Sequence, residues 1–325
     1  MTQPIGVVDG TFAGTDPHAV YRLQLSEIGP PHIPALAELP QIGPHATDLG
    51  KIAANIALPM ELRTYGWQLQ RGDRISSPDQ HRAIRHRDTI LQAIVDVAQD
   101  QDVPEVSVSL PGPVTTSVWG MLPSGQRILR DAGARHDIAA AWADAAEHLV
   151  TRIREVIGAR TTIIVQEPVA AQAVDGKIRS VSGADLERAL DIHEVRGMWQ
   201  LAAATEATVL IDTSLELSLT AAEVGSVLLP WPSGRSQQTE QTWELVDALV
   251  SKETPVGLQV PQHTEPKRFA EHFIQQYLDW GLAPSGLDQL RLVCTFDRAS
   301  EFVVGTTLES LRTVADHAAG YLTSL

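Results

Sequence analysis

Short apolar runs that do not alternate with polar residues recur along the whole chain, and between them lie segments whose apolar residues repeat every three or four positions. Strands covered on both faces lack alternation, and the helices that cover them show one apolar stripe. Strands of this kind pair in parallel and need crossovers, which the intervening helices supply. Residues 4–8, 57–62, 106–110, 161–165, 208–211, 226–229, 256–260 and 290–294 read as eight such strands. There is no interrupting linker, and no G-x-G-x-x-G follows the first strand. The pattern therefore predicts a single (β/α)8 TIM barrel over residues 1–325, an α/β fold, rather than an open dinucleotide-binding sheet.

Helix boundaries are written in capping chemistry. Asp16 followed by Pro17 is a helix start, as is Ser77-Pro78-Asp79-Gln80, which opens a helix with Ala83, Ile90, Leu91, Ile94, Val97 and Ala98 on one face. Ile138, Trp142, Ala145, Leu149, Ile153 and Val156 trace another helix, which Gly158 ends. Further helices are expected at 47–56, 239–250 and 267–280, and a last one carries Leu308, Leu311, Val314, Ala318 and Tyr321. Residues 29–45 hold five prolines, too many for a helix interior, and read as an ordered, extended, proline-rich excursion near the amino end. Pro59 weakens the strand expected at 57–62.

Charge narrows the partners. With 25 Lys and Arg against 40 Asp and Glu, the formal charge is −15, which opposes binding to nucleic acid and to anionic lipid. No run of 18 apolar residues occurs, and Met1-Thr2-Gln3-Pro4 lacks the start of a signal peptide, so a cytoplasmic protein acting on a small molecule is expected. Cys294 is the one cysteine, so there is neither an intrachain disulfide nor a Cys-x-x-Cys site, and the histidines show no H-x-x-x-H or H-x-H pair.

In a barrel of this type, polar residues at the carboxyl ends of strands are the candidates for chemistry. Thr11, Trp119, Glu167, Asp212, Ser214, His263 and Cys294 fall there. Asp212 and Ser214, two apart, share a face of an extended strand and can both reach the barrel mouth; alternatively Asp212 caps the next helix. Glu167, before a proline, reads equally as a substrate-binding carboxylate or as a hydrogen-bond anchor for its neighbouring loop. Cys294 also reads as a small buried hydrophobe, Trp119 as packing, and His263 as a lone histidine. The stretch 106–119 reads as a strand ended by Pro111-Gly112-Pro113 and a strand-end loop that delivers Trp119.

That loop, Gly112-Pro113-Val114-Thr115 followed by Trp119, resembles the G-P-V-T-x-x-x-W loop in the catalytic barrel of cobalamin-independent methionine synthases. Gly10-Thr11-Phe12 is similar to that family's G-S-F loop, Gln166-Glu167-Pro168 to its D-E-P, and Cys294 falls where its last zinc cysteine belongs; the order spans essentially the whole chain. The resemblance implies methyl transfer to a thiol such as homocysteine. It assigns Trp119 and Thr115 to a methyltetrahydrofolate or methyl-corrinoid donor, and Thr11, Gln166 and Glu167 to the acceptor. Asp212, Ser214 and Cys294 then stand where zinc would activate the thiol. A metal-bound thiol is a thiolate, whereas a free one, with a pKa near ~8.5, is mostly protonated at neutral pH.

Three departures concern the metal. Asp212 and Ser214 replace the family's His-x-Cys, the sixth strand offers Leu228, Leu229 and Pro230 in place of its Glu, and Cys294 alone keeps a ligand type. One cysteine with hard oxygens is a poor tetrahedral zinc site, so zinc is disfavoured. A different class of reading is then a non-catalytic barrel that serves as a binding or regulatory subunit of a partner enzyme, or as a homo-oligomer. The related uroporphyrinogen decarboxylase barrel relies on an arginine-rich amino-terminal segment, and residues 1–50 hold only Arg22.

Overall fold

The computed structural model describes residues 3–71, 76–99, 101–232, 234, 236–261, 266–299, 304–305, 307–309, 311–314 and 316. Its strands, in chain order, are β1 (Ile5–Phe12), β2 (Met60–Arg63), β3 (Gly66–Leu69), β4 (Glu105–Pro111), β5 (Arg160–Gln166), β6 (Thr208–Asp212), β7 (Ser226–Leu229), β8 (Val256–Gln259) and β9 (Leu290–Ala299). Its helices are α1 (Pro17–Glu27), α2 (Asp48–Ala53), α3 (Pro78–Val97), α4 (Pro113–Trp119), α5 (Ala132–Ile157), α6 (Ala170–Val174), α7 (Ile192–Ala203), α8 (Leu215–Ala222), α9 (Gln237–Val250) and α10 (Pro266–Asp279). Seven strands form one sheet in the order β1-β9-β8-β7-β6-β5-β4, every neighbouring pair parallel. Helices surround it, as a TIM-like barrel requires.

The second position in the barrel is not filled by 57–62. That segment contributes β2, which pairs antiparallel with β3 as a separate hairpin. The gap between β1 and β4 is bridged instead by the proline-rich segment. Ile33 sits in a parallel bridge with Val7, Ala35 with Ser107, and Glu38 with Thr11. Ile33 N–H donates to Gly6 O at 2.8 Å, Val8 N–H to Ile33 O at 3.0 Å, Leu36 N–H to Ser107 O at 2.8 Å and Ser107 N–H to Pro34 O at 2.9 Å. Proline cannot donate, but its carbonyl still accepts. Side chains of α1 complete the hydrogen bonding: Gln24 accepts from Ala35 N–H at 2.8 Å and donates to Ala35 O at 3.2 Å, and the Tyr21 hydroxyl accepts from Ala37 N–H at 3.0 Å. What reads as an excursion is the eighth stave.

Two apolar layers follow from strand alternation. Val7, Ile33, Ile164, Leu210, Leu228 and Val293 cluster inside the barrel, while the opposite faces, with Val8 and Cys294 among them, join the larger core beneath the helices. In α5, Ile138, Trp142, Ala145, Leu149 and Ile153 are buried, and the helix ends at Gly158 with φ 79°. Ser77 caps α3 and Asp16 caps α1, each accepting from a backbone N–H of the first turn. Leu308, Leu311 and Val314 are buried, and Ala318 and Tyr321 lie outside the described residues. Among the described residues no helix is long and apolar enough to cross a membrane.

At the amino end of the barrel, His32 is buried, and its Nδ1 accepts the Gly6 N–H at 3.0 Å, which requires an unprotonated nitrogen. Burial holds its pKa below the ordinary 6.5. A depressed folded-state pKa means that stability is fully present above 6.5 and is lost as pH falls through the folded value. His32→Asn keeps an acceptor without the titration. Thermal melts between pH 7 and 5 should show wild type losing ground to this variant as the pH drops; parallel curves would refute the assignment.

Candidate active site at the carboxyl ends of the strands

Two residues beyond the apolar interior, the same strand faces turn polar. Val7 leads to Asp9 on β1, Ile164 to Gln166 on β5, Leu210 to Asp212 on β6 and Val293 to Thr295 on β9. Asp9 is 2% exposed; the Ser109 hydroxyl donates to its Oδ1, and Thr295 Oγ1 donates to its Oδ2 at 3.3 Å. Gln166 and Asp212 are register partners, and Gln259 Nε2 donates to Asp212 Oδ1 at 3.4 Å. Side chains from six strands thus form one polar lining.

The electrostatics follow from burial. Asp212 has its pKa pushed up to about 7, first by burial and then by the charge of Asp9. Burial also raises Asp9, opposed by the Ser109 hydrogen bond and by Lys51. Glu38, on the eighth stave, rises to about 7 through burial and Asp9 although Lys51 Nζ lies 2.5 Å from its Oε1. The Asp9 charge thus raises both Asp212 and Glu38, while the Lys51 ammonium opposes the rise at Asp9 and Glu38.

The stretch that follows β4 is a helix rather than a loop. Gly112 occupies its N-cap position and Pro113 its first turn, and the helix ends at Trp119, which is half-buried against the core. Glu167, 1% exposed, points at its start: Val114 N–H donates to Oε1 at 3.0 Å, Thr115 N–H and Oγ1 to Oε2 at 2.7 and 2.6 Å, and Trp199 Nε1 to Oε1 at 3.0 Å. Burial raises the Glu167 pKa and these four donors oppose the rise.

The residues singled out in the sequence are therefore divided. Asp212 and Gln166 lie together, and Thr11 bridges Glu38 farther along β1. Thr115 and Glu167 are bonded to each other. Ser214 has left the strand: β6 ends at Asp212, and Ser214 sits at the N-cap of α8, its buried Oγ making no hydrogen bond among the described residues. Cys294 pairs in register with Val8 on the outward face, the opposite side from Thr295, and burial pushes its thiol pKa up. His263 lies outside the described residues. Asp9, Glu38, Lys51, Ser109, Gln259 and Thr295 were not legible as site residues; for Asp9 the signal was its place two positions after interior Val7.

The lining does not suit zinc. Asp212 and Cys294 face opposite sides of the sheet, and among the described residues no group of three or more His, Cys, Asp or Glu side chains is arranged to hold a metal ion.

No protein-family model matches the chain, and no curated protein does. A solved structure does: a B12-independent methionine synthase from Shewanella sp. W3-18-1 in complex with selenomethionine, with a TM-score of 0.56 and 12% sequence identity over 100% of both chains. The likeness is one of fold. At that identity it extends to the barrel and its full-length course and leaves the chemistry to the residues present.

Proposed function

We propose that this chain is a methionine-synthase-like methyltransferase, or a divergent descendant of one, that moves a methyl group from a folate- or corrinoid-type donor to a small thiol such as homocysteine. Three things support the reading: the full-length likeness of fold, the Gly112 to Thr115 and Trp119 motif gathered on α4, and the polar lining beside it. The observation that carries it is Asp212, a half-buried carboxylate at the end of a barrel strand whose pKa is pushed up to about 7. Its unprotonated form takes the thiol proton, the sulfur attacks the methyl carbon, and the bond from that carbon to the donor breaks with its electron pair left on the donor; a folate nitrogen then takes up a proton, and Asp212 gives up the one it accepted. A proton moving from a thiol near ~8.5 to this carboxylate climbs about 1.5 pK units, or about 2 kcal/mol, a small part of any methyl-transfer barrier. Trp119 and Thr115 belong to the donor side, and Asp9, Thr11, Gln166 and Asp212 to the acceptor side.

The test is a titration of methyltetrahydrofolate and of methylcobalamin into wild type and Trp119→Ala. Donor binding weakened at least about tenfold by the substitution, as loss of base–aromatic stacking predicts, supports the reading. If wild type binds neither donor, methyl transfer from these donors is wrong.

One observation favours a second reading, a non-catalytic barrel that binds a partner enzyme. Glu167 has all of its acceptor capacity engaged by protein donors, and Cys294 faces away from the interior. A stable complex recovered from lysate, combined with no donor binding, would favour it.

A further inference from the structure

Glu167 does two things at once. Its backbone N–H donates to Asp212 O at 2.7 Å, while its carboxylate collects the first-turn donors of α4 and the Trp199 indole. The preceding residue is stitched the same way, with Gly112 N–H donating to Gln166 O at 2.8 Å. The carboxylate also sits so close to Gly112 that a Cβ there would lie 2.3 Å from Oε1 and 2.4 Å from Cδ. Only glycine lets the helix start against it. An ionised carboxylate accepts from all four donors at once, three of them N–H groups that cannot accept; a protonated one could place its O–H only against the Thr115 hydroxyl.

We infer that Glu167 is a positioning residue that seats α4 against the Asp212 strand, fixing the spacing between the methyl-donor and proton-accepting halves of the site, and does not itself hold the acceptor. The assignment of the donor half rests on the methyltransferase reading; the seating of α4 by Glu167 rests on the hydrogen bonds alone. Thr115 is drawn into the same role, since its hydroxyl and its N–H both end on Glu167. Of the motif on α4, Trp119 is left as the side chain able to meet the donor.

Glu167→Gln replaces an acceptor oxygen with an amide that points N–H groups at N–H groups. Trp199→Phe removes one donor and leaves the carboxylate, and it keeps the question answerable if the first variant fails to fold. With 5-fluorotryptophan incorporated at all seven positions, 19F spectra read the effect, and Trp119→Phe and Trp199→Phe assign the two resonances that matter. The expected result for Glu167→Gln is movement of both the Trp199 and Trp119 resonances. For methyl transfer, kcat/KM for the donor falls about tenfold to a hundredfold, while KM for the thiol changes less than twofold. Trp199→Phe should move Trp119 in the same sense with a smaller loss. A Trp119 resonance unmoved in both variants, or a rise confined to the thiol KM, overturns the assignment. Resonances that move in a protein without any methyl transfer would instead sink the methyltransferase reading and leave the strut intact.

Discussion

Asp212→Asn should lower methyl transfer by about 10²–10⁴-fold, the usual worth of a positioned general base, while leaving a folded protein. Asparagine still accepts from Gln259 but cannot take a proton. Wild-type rates should rise with pH through about 7 as Asp212 ionises, and the variant should show no such step. Asp9→Asn moves that step to lower pH, because the Asp9 charge is part of what holds the Asp212 pKa up. The stability effect runs the other way. An acid whose folded pKa is raised from 3.8 to about 7 contributes stability that is complete below 3.8 and gone once pH has passed about 7. At pH 8 the variant should therefore melt above wild type, with an upper bound of about 4 kcal/mol from the three-unit gap, and the difference should close toward pH 4. A variant that keeps the wild-type rate, or is less stable at pH 8, removes Asp212 from the proposed role.

Gly10→Ala should be the most damaging small substitution in the barrel. Gly10 has φ 98°, and an added Cβ would lie 2.0 Å from Phe296 O and 2.5 Å from Phe296 N, backbone atoms of the neighbouring strand that cannot rotate away. The strand register also shifts between Gly10 and Phe12, so this close approach of β9 lies where the ladder is irregular. A loss of about 3–5 kcal/mol in urea unfolding is expected, with residual activity falling because Asp9 and Thr295 meet across the same pair. Gly14→Ala is the control: its φ is 97°, yet nothing lies within 4 Å of the new Cβ, so only the conformational cost of about 1 kcal/mol remains. Equal losses in the two variants would show that φ alone, and not the β1–β9 approach, makes Gly10 necessary.

The helices were legible because their signals are local. Ser77, Asp16 and Gly158 sit where capping chemistry places them, and the Trp142 stripe of α5 is buried as its spacing predicts. Most barrel strands were legible as well, since a run buried on both faces announces itself. Two misreadings fall at glycine and proline. The first strand is expected to end at Val8, but β1 continues through Gly10 to Phe12, which makes Asp9 a lining residue. The prolines of 29–45 rule out a helix and read as an extended excursion, yet only donors are lost at proline, so 33–38 still bridges to both neighbouring strands. Cys294 and Ser214 needed information that no local pattern carries. Whether a strand residue faces in or out depends on its register with β1, and Ser214 changed side because β6 stops two residues short of it.

The stave at 33–38 is bonded to β1 and β4 on its flanks and is also fastened from behind. In addition to those flanking bonds, Ala35 and Ala37 are held by Gln24 and Tyr21 of α1, buried side chains of the outer layer. Closure of the cylinder and docking of α1 are then one cooperative event. Fluctuations that lift α1 would then loosen the wall beside Asp9 and open a lateral seam to solvent. Amides of Ile33, Ala35 and Ala37 would exchange with those of α1 as a single unit, and the seam would carry whatever exchange the site makes with bulk water when its mouth is occupied.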